Sequence, residues 1–469
     1  MEKKKEISSL SIASAPSQTT LNMSSMVTLA EKMPDGEYDP FAHREKTNQY
    51  SNMGALAHLL KGSLGSGILA MPMAFKNGGL IFGFVGTILI GLVCTHCVQL
   101  LVRSAQTLCV RLQKPALDMA GTAYAAFTSG PVALRPYAVV ARRFVTTALF
   151  CTYYFGLTAY VVFIGASIQQ VSPTEPSGDD AGRRSFIALL VVLLVPLAMI
   201  RKLKHLVPFS MVANLCIVVG FAITLYYLFR ENIATDINNL NYTTSLKGLP
   251  IFFATVLFAM EGIGMVMPVE NTMENPRRLL GWNGVLTIAM AIVVTLFTGM
   301  GLLGYLHYGN AVEASITLNL PAGEIPAQVV KLLLAVAILF TYPLQLYVAL
   351  GIAWAQLEPY ISNSMHNVVQ NSMRVVMVLG TIVVALAVPN LGPVISLLGA
   401  LFFSILGLFI PAVVDTATHW DQGAGASTGN VYLFTKNGVL IVVSLMSVVA
   451  GTYSSVLDII SEYGGVTPQ

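Results

Sequence analysis

Charged residues are scarce. Asp, Glu, Lys and Arg make up 10% of the 469 residues, against about 25% in a soluble domain. That shortage excludes a fully hydrated surface, because 55% of the chain is hydrophobic. The formal net charge of +3 gives no reason to expect nucleic acid as a partner. Cysteines are few, and Cys94, Cys97, Cys109, Cys151 and Cys216 all lie in apolar runs or at their edges. No extracellular disulfide is expected from them. "CTHC" (Cys94 to Cys97) has the spacing of half a zinc site, but the other half is missing and the segment is apolar, so no metal or cofactor is expected. Residues 1–50 have no apolar core and are not expected to act as a cleavable signal peptide. There is no nucleophile–base pairing, phosphate loop or complete metal set, so the chain does not read as an enzyme. No continuous polar stripe supports a channel.

What is present is a series of apolar runs near the 20 residues that a spanning helix needs. Eleven candidates lie roughly at 54–77, 79–103, 144–170, 185–201, 206–229, 248–270, 283–307, 327–357, 371–389, 392–414 and 437–458. "VPNLGPV" (Val388 to Val394) separates the ninth from the tenth. The run at 327–357 is too long for a perpendicular crossing, which predicts tilt or an overhang. The chain is expected to be an all-α membrane protein of eleven transmembrane helices.

Lys and Arg are distributed unevenly. With a cytosolic amino terminus, the inside receives Lys3, Lys4, Lys5, Lys32, Arg44 and Lys46 from the tail. It also receives Arg103, Arg111, Lys114, Arg135, Arg142 and Arg143, "RKLK" at Arg201 to Lys204, Arg277, Arg278, Arg374 and Lys436. The outside keeps Lys76, Arg183, Arg184, Arg230, Lys247 and Lys331. Basic residues of this kind mark topology, and they predict an extracellular or lumenal carboxyl terminus. The sequon at Asn241 ("NYT") then faces outside as a glycosylation candidate, whereas Asn22 ("NMS") stays in the cytosol. The tail of residues 1–50 reads as disordered, and its "YDPF" (Tyr38 to Phe41) has the form of a sorting signal. Plasma membrane and endolysosomal membrane both remain open.

Two apolar runs are interrupted. "HLLKGSLGSGILAMP" (His58 to Pro72) places Gly62, Gly65 and Gly67 within six residues. "FAMEGIGMVMPVEN" (Phe258 to Asn271) repeats the pattern of Gly-x-Gly, apolar residues and Met-Pro. Such glycines read either as close-packing positions between helices or as breaks. The breaks fall in the first and sixth runs, five apart, which predicts two halves of opposite topology. Paired interruptions at matching positions point to a transporter binding site near the midplane. The expected units are residues 51–229, a second five-helix repeat at 230–415, and 416–469 with an eleventh helix.

"HLLKGSLGSGILAMPMAFKNGGL" (His58 to Leu80) and "FFATVLFAMEGIGMVMPVENTMENPRRL" (Phe252 to Leu279) resemble the signature segments of proton-coupled amino acid transporters, in the amino acid/auxin permease group. The lead-in "EYDPFAHRE" (Glu37 to Glu45) resembles an insect branch of that family. The resemblance covers about residues 50–460. It implies a leucine-transporter-type 5+5 inverted repeat plus one helix, moving small neutral amino acids with a proton into the cytosol. Some relatives pair cysteines in outer loops; this chain lacks them.

Glu261 reads as the one carboxylate deep within a run, directly before Gly262. Intramembrane charge is costly and marks function. Glu261 is therefore a proton-carrier candidate, or else a structural carboxylate paired with Lys61. His58, one turn from Lys61 and Gly62, titrates in the useful range; the resemblance aligns it with a family histidine regarded as part of proton coupling. Ser63, Leu64, Gly65, Ser66 and Gly67 are the expected carboxylate ligands, with Met260, Glu261, Gly262 and Gly264 lining the opposite side. Tyrosines of "CTYYFGLTAY" (Cys151 to Tyr160) rank below them. No further charged side chain beside the breaks suggests a charged substrate, so a small zwitterion fits. Membrane lipid and a cytosolic signalling partner of the tail complete the expected partners. Sodium coupling on the same fold, and an amino acid sensor using the same pocket, stay open.

Overall fold

The computed structural model describes residues 38–44, 49–172, 180–201, 203–230, 240–260, 262–321, 323–420 and 428–463. These are helical throughout, apart from turns and one isolated parallel β-bridge between Tyr50 and Met273. The amino-terminal half holds α1 (Asn52–Ser63), α2 (Gly67–Gly78), α3 (Leu80–Arg111), α4 (Met119–Ser129), α5 (Ala138–Val171), α6 (Asp180–Leu189), α7 (Val191–Ala198) and α8 (Leu203–Arg230). The second half holds α9 (Gly248–Ala259), α10 (Ile263–Thr272), α11 (Val285–Tyr308), α12 (Ile325–Leu357), α13 (His366–Ala387), α14 (Leu391–Leu398) and α15 (Ile410–Thr418). α16 (Thr428–Met446) and α17 (Thr452–Tyr463) follow.

Ten of the described helical stretches are long and apolar enough to cross a membrane. The expected count was eleven. The difference lies in the first run, where α1 and α2 hold only twelve residues each, short of a crossing on their own. The Val388 to Val394 interruption is real: α13 ends at Ala387, and the Asn390 side chain accepts from Gly392 N at 3.1 Å to start α14. α12 runs for 33 residues, about 50 Å at 1.5 Å per residue, and overshoots a hydrocarbon core of about 30 Å.

Hydrogen bonds sort the loops into two ends of the bundle. At one end Tyr50 N donates to Thr272 O at 2.8 Å, Asn271 Nδ2 to Leu117 O at 3.0 Å, and Arg111 Nη1 to Thr418 O at 2.7 Å. At the other, Leu80 N donates to Asn241 O at 2.8 Å, Lys76 Nζ to Val312 O at 2.9 Å, and Gln170 Nε2 to Leu318 O at 3.1 Å. Asn241 is exposed at this second end, and its side chain reaches Asn310 Oδ1 at 3.4 Å. In the interior α2 packs against α9 and α11, and α12 against α5 and α8.

Two charges missed as structural elements anchor the first end. Arg44 is 7% exposed and Glu270 only 1%. Arg44 Nη2 donates to both Glu270 carboxylate oxygens at 3.0 Å, Nη1 to Glu270 O at 2.7 Å, and Nε to Pro115 O at 2.8 Å. Gln106 Nε2 adds a bond to Glu270 Oε1 at 3.0 Å. Residues 38–44, expected within a disordered tail, thus form a turn held on the bundle, with the guanidinium of Arg44 4.9 Å from the Phe41 ring centre. Residues 1–37 and 45–48 of that tail lie outside the described residues. Glu270 and Asp415, near the ends of α10 and α15, are both buried.

Arg44→Ala would leave Glu270 buried and unpaired, a change worth about 3–5 kcal/mol. The exposed Arg277–Asp39 pair at 2.7 Å belongs to a class worth about 0–1 kcal/mol. Thermal melting of the detergent-solubilised protein should therefore drop far more for Arg44→Ala than for Arg277→Ala. Equal melting temperatures for the two variants would show that the buried pair is not an anchor.

Candidate functional site

α1 stops where its glycines begin. Leu64 N makes the last α-type bond, to Leu60 O at 2.7 Å, and Leu64 leaves helical geometry at φ −82°, ψ 73°. Gly65 N then turns back to Ser63 O at 3.0 Å. α2 starts afresh after Ser66, whose side chain makes no capping bond. The second interruption is alike. Met260 N closes α9 on Val256 O at 2.9 Å, Gly262 is extended at φ 176°, and α10 begins at Ile263. Each break leaves amides at a helix start and carbonyls at a helix end without intrahelical partners.

The two breaks face each other. A Cβ on Gly67 would lie 2.8 Å from Ala259 Cα, so backbone meets backbone there. A Cβ on Gly262 would lie 2.7 Å from Ser63 Oγ, one on Gly62 would strike the Met265 sulfur, and one on Gly264 would strike the Tyr153 hydroxyl. Gly65 differs: a Cβ there meets nothing within 4 Å. The structure thus brings together Ser63, Gly67, Gly262 and Gly264, with Met260 buried beside them. Leu64 and Ser66 are half-buried at the first break. Glu261 lies outside the described residues.

Two small cavities flank this point. One of about 30 Å³ is lined by Leu59, Ser63, Met260, Gly262 and Ile263 among others. Another of about 10 Å³ touches Ser66, Ala159, Phe163, Phe258 and the Ala314–Ser315 loop. The larger is about twice the roughly 10–15 Å³ that one water needs, so in this conformation little room stands beside the breaks. His58 is half-buried, its ring 4.2 Å from the Tyr50 ring. Lys61 is exposed, and its Nζ donates to Ser210 Oγ of α8 at 2.9 Å.

The tyrosines of α5 divide. Tyr153 reaches Gly264, Tyr154 donates to Met377 O of α13 at 3.1 Å, and Tyr160 donates to Gln345 Oε1 of α12 at 3.2 Å. Gln345 went unnoticed in the sequence. Its Nε2 donates to Tyr153 O at 3.4 Å and sits 2.9 Å from where a Gly156 Cβ would be. The signal was an amide within the apolar run "FTYPLQLYVAL" (Phe340 to Leu350), because a buried amide needs partners. The site therefore combines free backbone ends with uncharged hydroxyl and amide groups. Such a set can hold a carboxylate at helix starts, where partial positive charge lies, and an ammonium at helix ends.

Packing separates the glycines experimentally. Gly67→Ala must push the Ala259 backbone and should lower the melting temperature and yield. Gly65→Ala has room and should leave both unchanged. Size-exclusion profiles after heating would test this, and a Gly67→Ala variant as stable as the wild type would sink the backbone contact.

Comparison with known proteins follows the same lines. The family described as transmembrane amino acid transporter protein matches residues 48–457. Over 433 residues the chain is 37% identical to the proton-coupled amino acid transporter-like protein pathetic of Drosophila melanogaster, covering 92% of this chain and 90% of that one. Over 298 residues it is 28% identical to vacuolar amino acid transporter 4 of Saccharomyces cerevisiae, covering 63% of this chain and 39% of the yeast protein. Among solved structures, an inward-facing conformation of Mhp1 aligns over 92% of both chains with a TM-score of 0.52 at 13% identity. That likeness concerns the fold alone. The fly and yeast relatives are transporters by name, not enzymes. The chain is a multi-pass membrane protein and belongs to the transmembrane amino acid transporter family.

Proposed function

We propose that the chain is a secondary active symporter carrying small neutral amino acids with a proton into the cytosol. The observation that carries this reading is the meeting of two helix breaks in the bundle interior, Gly67 against Ala259 and Gly262 against Ser63. Irregular backbone at membrane depth persists only inside protein or beside a water-filled cavity. Here it supplies unpaired amides and carbonyls for both ends of a zwitterion. Ser63 to Gly67 take the carboxylate, and Met260 to Gly264 line the other side. The open space at Gly65 is where the ligand's backbone approaches. The two halves, 51–229 and 230–415, form the inverted repeat about this point. The close backbone fit at Gly67 and Gly262, with space left at Gly65, suits alternating access, in which one bundle rocks against the other.

Proton coupling rests on the name of the fly relative and on Glu261, with His58 as the other carrier. The basic end of the bundle, with Arg44, Arg111 and Arg277, faces the cytosol in this reading. Asn241 then faces outside and accepts glycan. The membrane is the plasma membrane, the endolysosomal membrane or both.

A zwitterion moving inward with one proton carries one net positive charge. Membrane potential then contributes about 2.3 kcal/mol per 100 mV, and one pH unit about 1.4 kcal/mol, the worth of a tenfold ratio. Reconstituted vesicles should accumulate radiolabelled alanine, glycine or proline when the outside is acidified, without sodium. Glu261→Gln should abolish pH-driven accumulation while exchange of substrate continues. Accumulation by Glu261→Gln equal to the wild type would transfer the role to His58. Uptake that ignores pH and needs sodium would reject proton coupling altogether.

A further inference from the structure

A wider, more open pocket lies away from the breaks. It measures about 380 Å³ and opens between α3, α15 and α16, at the end of the bundle that carries Arg44 and Arg111. Leu100 and Leu433 give it apolar wall, and Arg103, His419 and Lys436 bring three basic side chains to it. Asp415 is its one acid.

That acid is already occupied. Asp415 Oδ1 lies 3.0 Å from His419 Nδ1 and accepts from Ser104 Oγ at 3.4 Å. Oδ2 accepts from Asn437 Nδ2 at 2.9 Å and stands 3.6 Å from Lys436 Nζ. The bond to Asp415 raises the His419 pKa above 6.5, which favours its charged form. Arg103 is exposed, and its guanidinium has no partner among the described residues. Arg111 flanks the cluster through its bond to Thr418 O at 2.7 Å. One carboxylate thus faces three bases, and a positive excess remains.

We infer that this cavity binds the phosphate-bearing headgroup of an anionic membrane lipid, with Arg103 and Lys436 as the phosphate ligands. A planar guanidinium pairs with phosphate oxygens in bidentate fashion, and Thr107 lines the same space with its hydroxyl donated to Arg103 O at 2.9 Å. A lipid is favoured over a soluble anion by the surroundings. Val431 and Tyr432 on α16 are 68% and 69% exposed beside the cavity, at a membrane boundary where acyl chains would cover them. Basic pockets between spanning helices on the cytosolic side are suited to such headgroups. Gln106 also lines the cavity and holds Glu270, so the site adjoins the Arg44 anchor on α10.

The test uses purified full-length protein in phosphatidylcholine nanodiscs and reads binding, not transport, so it stands apart from the proposed substrate and coupling ion. Titration with a short-chain phosphatidylinositol monophosphate should give saturable binding and a raised melting temperature. Short-chain phosphatidylcholine should give neither. Arg103→Gln should weaken phosphoinositide binding about tenfold, the worth of one charge-assisted hydrogen bond, without lowering the melting temperature of the unliganded protein. Lys436→Gln should weaken it as well. Unchanged affinity in both variants, or equal binding of phosphatidylcholine, would overturn the site. Inorganic phosphate binding as tightly as the lipid would overturn the lipid assignment.

Discussion

A backbone amide or carbonyl in hydrocarbon must find a partner, and the two helix breaks are where this chain comes nearest to violating that rule. Neither break is tenable alone. Each is sheltered by the other: α2 lies on α9 so closely that Gly67 touches the Ala259 backbone, and Ser63 stands over Gly262. α5 closes a further side with Tyr153 against Gly264, and α12 supports α5 through Gln345. A similar close approach recurs outside the breaks, where Gly399 sits on the Ala254 carbonyl. There the chain between α14 and α15 widens into π-helical turns at Gly399–Phe403 and Ile405–Phe409, a feature frequent at functional sites.

Charge is spent sparingly and mostly at the ends. Arg44 and Glu270 tie the segment before α1 to the end of α10, so α1 and α10 share one anchor. The β-bridge of Tyr50 with Met273 reinforces the same junction. At the opposite end, Lys331 is 1% exposed and donates to Leu320 O at 2.9 Å, while Lys76 holds Val312 O. Both lysines thereby hold the 312–320 segment. Between these anchors Lys61 stands at the end of α1 with its Nζ on Ser210 Oγ at 2.9 Å, and helix ends supply the rest of the electrostatics.

The apolar runs, their order and both interruptions were legible because they are local: hydrophobicity over about 20 residues and glycine–proline punctuation need no partner to be read. The Gly-x-Gly pairs marked the breaks for the same reason, since the loss of helix is a property of those residues themselves. Ten stretches are long enough to cross where the sequence reads eleven runs, because the first run is held in two helices of twelve residues each. Partner choice was not legible. Glu270 and Asp415 looked like span-end carboxylates in one dimension, yet Arg44 is 226 positions from Glu270 and Ser104 is 311 from Asp415. Only tertiary packing decides which distant side chain meets a buried charge. It likewise decided that Gly65 opens on space while Gly67 meets backbone, although both are glycines only two positions apart. Sequence set where the helix must fail; the fold set what faces the failure, because that depends on which helix lies across the gap.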